Sequence, residues 1–207
     1  MGPSAGILLY HALTEEQLTD LEQWLRSITS RLEGQRGDWW PFWMKNGNLI
    51  DLPSVDCGDA CAFGLSLHNM QSEQDFRDKD SQAAIREERA QLFQHLGSVP
   101  EQSIDIFAGC NHAHDHRILG QLALLLAERY DGTIDLNGAL TPPLEPEQDW
   151  DDVTIEEVEH YIQELSLPGR IFHMYYITVR DTIWISHLVD ADFLRAWLQH
   201  PRFHMIK

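Results

Sequence analysis

The sequence predicts a single α+β domain spanning residues 1–207, a mixed β-sheet with helices packed mainly on one face. Helical and strand-like periodicities interleave irregularly along the chain, the stretch from Ser103 to Gly138 reads as strand, helix, strand, and the stretch from Arg170 to His187 reads as a hairpin. With 43% hydrophobic and 23% charged residues the composition is that of a globular protein rather than a disordered acidic tail, and 207 residues fit one domain.

Gly6 to Tyr10 is an apolar run of strand length. Thr14 opens the first helix with Gln17 as its capping-box partner; Leu18, Leu21, Leu25, Ile28 and Leu32 recur at helical spacing, and Gly34 and Gly37 mark the stop. Residues 38–44, DWWPFWM, read as an aromatic edge strand or hairpin arm that leaves through an Asn46-Gly47 turn. Cys61 to Leu67 alternates small and large residues in the manner of a strand. Ser72 to His95 is a polar helix with a thin apolar stripe of Ile85, Leu92 and Leu96.

Ser103 to Ala108 alternates as a strand, and residues 117–130 are apolar on most faces, which places that helix at the centre of the fold. Asp131-Gly132 ends it, and TIDLNG returns as a strand. Residues 139–152 form a Pro- and acid-rich loop. Val153, Ile155, Val158, Tyr161, Ile162 and Leu165 define an amphipathic helix that Pro168-Gly169 breaks. Arg170 to Val179 and Thr182 to His187 flank Arg180-Asp181 as a hairpin, and Asp190 caps a last helix over 191–199.

Charge excludes one large class of function. Asp and Glu number 33 against 15 Lys and Arg, a formal charge of −18, whereas affinity for nucleic acid rests on clustered Lys and Arg. No stretch approaches the roughly 18 apolar residues of a spanning helix, and the N-terminus lacks a basic leader region, so neither a membrane nor a secretory route is expected. Three cysteines, Cys57, Cys61 and Cys110, are an odd number, which favours reduced thiols in the cytoplasm.

Metal chemistry has one candidate in Cys110-Asn111-His112-Ala113-His114-Asp115-His116. His112, His114 and His116 point the same way on an extended chain, while His112 and His116 share a face on a helix, so either form could hold zinc. The run approaches the His-x-His-x-Asp-His signature of metallo-β-lactamase hydrolases but is one residue short before the aspartate. The plainer reading makes it a polar turn into the central helix, with Asn111 as N-cap and Asp115 complementing the helix dipole. Cys57 and Cys61 have neither redox nor zinc-knuckle spacing. There is no Gly-x-Ser-x-Gly elbow, phosphate loop or His-Glu-x-x-His, so no catalytic residue is assigned and no cofactor is expected outside the zinc alternative.

The strongest electrostatic feature is residues 145–164, which hold nine acidic side chains and no Lys or Arg. Like charge at this density costs stability through self-repulsion, and a basic partner would offset that cost while being steered to the surface. Glu147, Asp149, Asp151, Asp152, Glu156, Glu157 and Glu159 are the expected contacts, with Trp150 and Tyr161 as aromatic anchors. The competing reading is a solvated acidic face with both aromatics in the core. Trp39, Trp40, Phe42 and Trp43 are read first as core and second as a ligand platform. Trp197, His200, Arg202, Phe203, His204 and Lys207 make a small basic island that complements the last helix or docks on the chain's own acidic surface.

The blocks DHRILGQLALLLAERYDGTIDLNGAL and LPGRIFHMYYITVRDTIWISHLVDADFLRAWLQHPRFHMIK, within residues 103–207, resemble an uncharacterised family of bacterial cytoplasmic proteins, similar in style to polymorphic-toxin immunity proteins. The resemblance implies an inhibitor that binds and neutralises a cognate basic toxin domain, and it carries over no catalytic residues. The alternative is a metal-dependent hydrolase or metal-binding protein centred on His112, His114 and His116.

Overall fold

The computed structural model describes residues 2–34, 39–45, 62–71, 79–143, 153–177 and 183–205. Strands β1 (Ser4–Leu9), β2 (Thr29–Leu32), β3 (Trp40–Met44), β4 (Phe63–Asn69), β5 (Gln102–Ala108), β6 (Thr133–Asp135), β7 (Ile171–Ile177) and β8 (Ile183–Val189) form one sheet in the order β2-β3-β4-β5-β1-β6-β8-β7. Helices α1 (Glu15–Ile28), α2 (Lys79–Leu96), α3 (Ala113–Tyr130), α4 (Ile155–Leu165) and α5 (Ala191–Gln199) complete the α+β domain.

Every described strand pair is antiparallel, where the sequence suggested a mixed sheet. The reason lies in the β5–α3–β6 unit. Its two strands do run the same way, but β1 lies between them and pairs antiparallel with both, so the expected parallel contact never forms.

Local signals mostly do what they promise. Thr14 and Gln17 form the capping box of α1, with Gln17 N donating to Thr14 Oγ1 at 3.2 Å and Thr14 N to Gln17 Oε1 at 2.9 Å. Asp190 caps α5 by accepting from Phe193 N at 3.0 Å. Asp131 ends α3 in the left-handed region at φ 51. Two boundaries differ from expectation. The first helix stops at Ile28 because β-branched Thr29 turns extended, and Leu32, which continued the helical spacing, belongs to β2 instead. The central helix starts four residues early, at Ala113, so the histidine run lies in its first turn. The Asn46-Gly47 turn, the start of the 72–95 helix, the 144–152 segment and the Arg180-Asp181 turn fall outside the described residues.

Alternation along the strands separates two unlike faces. Ala5, Ile7 and Leu9 of β1, Ile104, Ile106 and Ala108 of β5, Phe63 and Leu65 of β4 and Trp40, Phe42 and Met44 of β3 point to one side. There they meet Leu21 and Leu25 of α1, Leu119, Leu122 and Leu126 of α3, Tyr161 and Leu165 of α4 and Trp197 of α5 in one continuous core. Trp40 and Phe42 are therefore core residues, and the strand carrying them is internal, with β2 outside it. α2 covers the opposite face through a much smaller cluster of Leu8, Leu92, Met174 and Leu188. Gln91 of α2 also closes the edge strand β7, its amide donating to Tyr175 O and accepting from Tyr175 N, both at 2.8 Å.

Cys110 is disulfide-bonded, which corrects the expectation of reduced thiols. The chain is already held at this point, since Gly109 N donates to Ala62 O at 2.8 Å and so ties the end of β5 to the start of β4. Among the described residues no helix is long and apolar enough to cross a membrane.

Candidate functional site

The face covered by α2 holds the polar groups. One row of the sheet register runs Ser66, Asp105, Gly6, Asp135, Leu188 across β4, β5, β1, β6 and β8, so both aspartates flank a glycine on the same face. A Cβ on Gly6 would lie 3.2 Å from Asp105 Oδ1 and 3.6 Å from the Asp135 Cβ. Glycine in a central strand weakens it and marks a close approach. Here its missing side chain leaves the floor of an open cavity of about 540 Å³, walled by Asp105, Asp135, His68, Ser4 and Ser103 from the sheet and by Glu88 and Arg89 from α2.

The carboxylates of this cavity are held in an unusual state. Burial pushes the Asp135 carboxyl above the ordinary range, against hydrogen bonds from the Ser186 hydroxyl and the Asn137 N–H that favour its charged form. Burial also raises Asp105, with the Asp135 charge adding to the effect and His68, at 3.2 Å from Asp105 Oδ2, opposing it. Glu88 is raised by burial and by Asp135, and Arg89 offsets part of this. Tyr176, whose hydroxyl reaches Glu88 at 3.5 Å, is pushed up by burial and by the same two acids. Three carboxylates thus share one partly dry space with a single guanidinium among the lining residues, and burial there disfavours the charged form of each acid. Beside it, Trp39 is 51% exposed and leans on Phe107, the residue of β5 that pairs with Ser4 of the cavity wall.

The expected acidic surface is placed only in part. Glu147, Asp149, Trp150, Asp151 and Asp152 lie outside the described residues. Glu156 is exposed on α4. Glu157 closes the capping box of that helix, and the hydrogen bond from Thr154 N, 2.8 Å long, holds its carboxyl below the usual range. Glu159 accepts from the Tyr175 hydroxyl at 3.5 Å. Tyr161 is 4% exposed and packs in the core, as the competing reading required, so it offers no ring to a partner. Arg202 of the basic tail approaches Glu164 at 3.6 Å and lies over the Tyr161 ring, so that island docks on its own chain.

The histidine run is divided by the fold. His112, and not Asn111, is the N-cap of α3. Its Nδ1 lies 3.0 Å from Asp115 Oδ2, and His114 Nε2 lies 3.3 Å from Asp115 Oδ1. His116 faces inward. Its Nδ1 accepts from Met205 N at 3.1 Å, which leaves the proton on Nε2, 2.6 Å from Asn111 Oδ1. Burial, with His204 nearby, lowers its basicity further. Both ring nitrogens are occupied, so the set of His112, His114 and His116 is corrected to His112, His114 and Asp115.

Sequence reasoning missed Asp105, Asp135 and Glu88 because each looked like an ordinary solvent-facing residue of its own element. The usable signal was a glycine in an apolar strand together with single acids inside SIDIFA and TIDL, but only the strand order brings them side by side. No curated protein and no solved structure matches the chain. Over residues 1–207 it matches, and so belongs to, a family of unknown function, DUF6368.

Proposed function

We propose that this protein is a binding protein for a basic protein partner, and that a Lys or Arg side chain of that partner enters the cavity between Asp105, Asp135 and Glu88. The observation that carries the reading is geometric: Asp105, Asp135 and Glu88 line one open cavity with Arg89 as the single guanidinium among its lining residues, and burial there raises the three carboxyls. A bound cation replaces the protons these groups would otherwise take up, so binding should tighten as pH rises through their raised values. Trp39, half-exposed at the border, supplies the aromatic anchor that such interfaces use, and the overall charge of −18 supplies steering.

In its narrower form the partner is a cognate toxin domain, and the protein is its immunity or antitoxin-like inhibitor. The acidity, the size and the resemblance over residues 103–207 support that form, and the Cys110 disulfide fits an oxidising compartment rather than the cytoplasm. The acidic 145–164 segment adds long-range attraction in this reading rather than the main contact.

The test is capture of partners from extracts of the source organism with tagged wild-type protein and an Asp105→Asn/Asp135→Asn variant, each washed at low and high salt. A basic protein retained by wild type, released by salt and lost from the variant supports the reading. A partner held equally by both proteins, or the absence of any basic partner, contradicts it.

A further inference from the structure

We propose that His112, His114 and Asp115 form a divalent-metal site of the two-histidine, one-carboxylate kind, a donor set that suits zinc. Each residue offers one ligand atom, and these atoms all lie within 4.8 Å of one another. Donors around a tetrahedral zinc sit about 3.3 Å apart, as bond lengths of about 2.0–2.1 Å require. His112 and His114 have room to rotate toward that spacing, being 65% and 38% exposed at the side chain, and their rings lie parallel with centroids 5.2 Å apart.

The second, independent observation is the state of Asp115. Its side chain is 0% exposed, and Oδ1 accepts no hydrogen bond although it is buried. A buried carboxylate oxygen left without a donor costs free energy that native structures rarely concede. This oxygen faces His114 Nε2 at 3.3 Å, the position from which a metal held by both imidazoles would be reached. The other carboxylate oxygen, Oδ2, accepts from His112 N at 3.0 Å and lies 3.0 Å from His112 Nδ1, contacts that fix the orientation of the carboxylate beside the ring. The first turn of α3 presents positive backbone dipole to a cation, and the Asp115 charge offsets it.

Neighbouring groups delimit the site. His116 is withdrawn by its bonds to Met205 N and Asn111, so the protein supplies three ligands and the exposed side of His112 leaves a fourth position open to water or to a ligand oxygen. Three protein ligands and one open position are the arrangement of zinc sites that act on substrates, as opposed to closed structural ones. The site belongs to α3, which packs on the core face of the sheet, and is therefore separate from the acidic cavity under α2.

The experiment is calorimetric titration of the chelator-treated full chain with zinc, repeated with cobalt to read the visible d–d absorption of a four-coordinate site. The comparison is with His112→Ala, His112→Ala/His114→Ala and, as a control elsewhere, His11→Ala, whose side chain is 90% exposed, with circular dichroism confirming the fold of each. Saturable one-to-one binding by wild type and His11→Ala, weakened at least ten-fold in His112→Ala and abolished in the double variant, is the expected result. No saturable binding by wild type, or binding that the double variant retains, overturns the proposal.

Discussion

The two faces of the sheet are built from the same strands and differ in almost every other respect. On the face under α1, α3, α4 and α5, residues such as Ile7, Phe42, Leu65, Ile106 and Leu119 are wholly enclosed and form one core. On the face under α2 the alternate positions of the same strands are Ser4, Gly6, His68, Ser103, Asp105 and Asp135, and the helix seals only the end near β7 and β8. The contrast teaches that one sheet concentrates its apolar packing on one side and its polar and acidic side chains on the other. The dry face carries the fold, which lets the wet face keep a glycine, a cavity and several partly buried acids that no stability argument would place there.

The comparison breaks most easily on the dry side. Leu119→Ala, at a fully buried site in α3, should cost about 3–5 kcal/mol in urea denaturation, whereas Leu8→Ala, on the border of the cavity, should cost about 2 kcal/mol. Equal losses at the two positions would mean that the faces are packed alike.

Acid sharpens the same contrast. His187, on the dry face beside His173, is 0% exposed with neither ring nitrogen hydrogen-bonded, and burial pushes its basicity down to about 3. The unfolded chain therefore binds a proton that the folded chain refuses, so the stability this residue allows is complete above about pH 6.5 and lost as pH falls toward 3. The loss reaches about 3 kcal/mol at pH 4. Denaturation curves of wild type and His187→Leu should converge near neutral pH and separate by that amount in acid, with the variant the more stable.

The wet face should show the opposite slope. Because the Asp135 carboxyl is raised, the folded protein holds its proton more tightly than the unfolded chain, and stability falls as pH climbs past the ordinary aspartate range. Asp135→Asn keeps an acceptor for Ser186 and should be more stable than wild type at pH 7 by up to about 1 kcal/mol, yet equal to it at pH 3. Thermal melts at the two pH values check this. The smallest effect belongs to neither face, since Glu157→Ala removes one arm of the α4 capping box and should lower stability by about 0.5 kcal/mol.

Most of the dry face was legible in the sequence. The leucine spacing of α1, the apolar surface of α3 and the caps at Thr14 and Asp190 are local signals, and each survives into the structure because local geometry and core packing agree there. Leu32 misled because a four-residue interval matches a helix period while the intervening Thr29 had already left the helix. The antiparallel sheet was hidden for a non-local reason, namely that β1 enters between β5 and β6. Non-local pairing hid the cavity too, since Gly6, Asp105 and Asp135 are far apart in the chain and meet only through the strand register. The histidine run was visible as residue types, but its split into an outward pair and an inward His116 depended on Met205, at the opposite end of the sequence.

In the proposed function the acids of the α2 face sit in a proton-hungry cavity that a partner's cation relieves. The direct measurement is a ¹³C carboxyl NMR titration of Glu88, Asp105 and Asp135, first in the free protein and then in complex with the captured basic partner. All three should titrate above the ordinary carboxylate range in the free protein and fall in the complex. Ordinary values in the free protein, or raised values that the partner leaves unchanged, would contradict that reading.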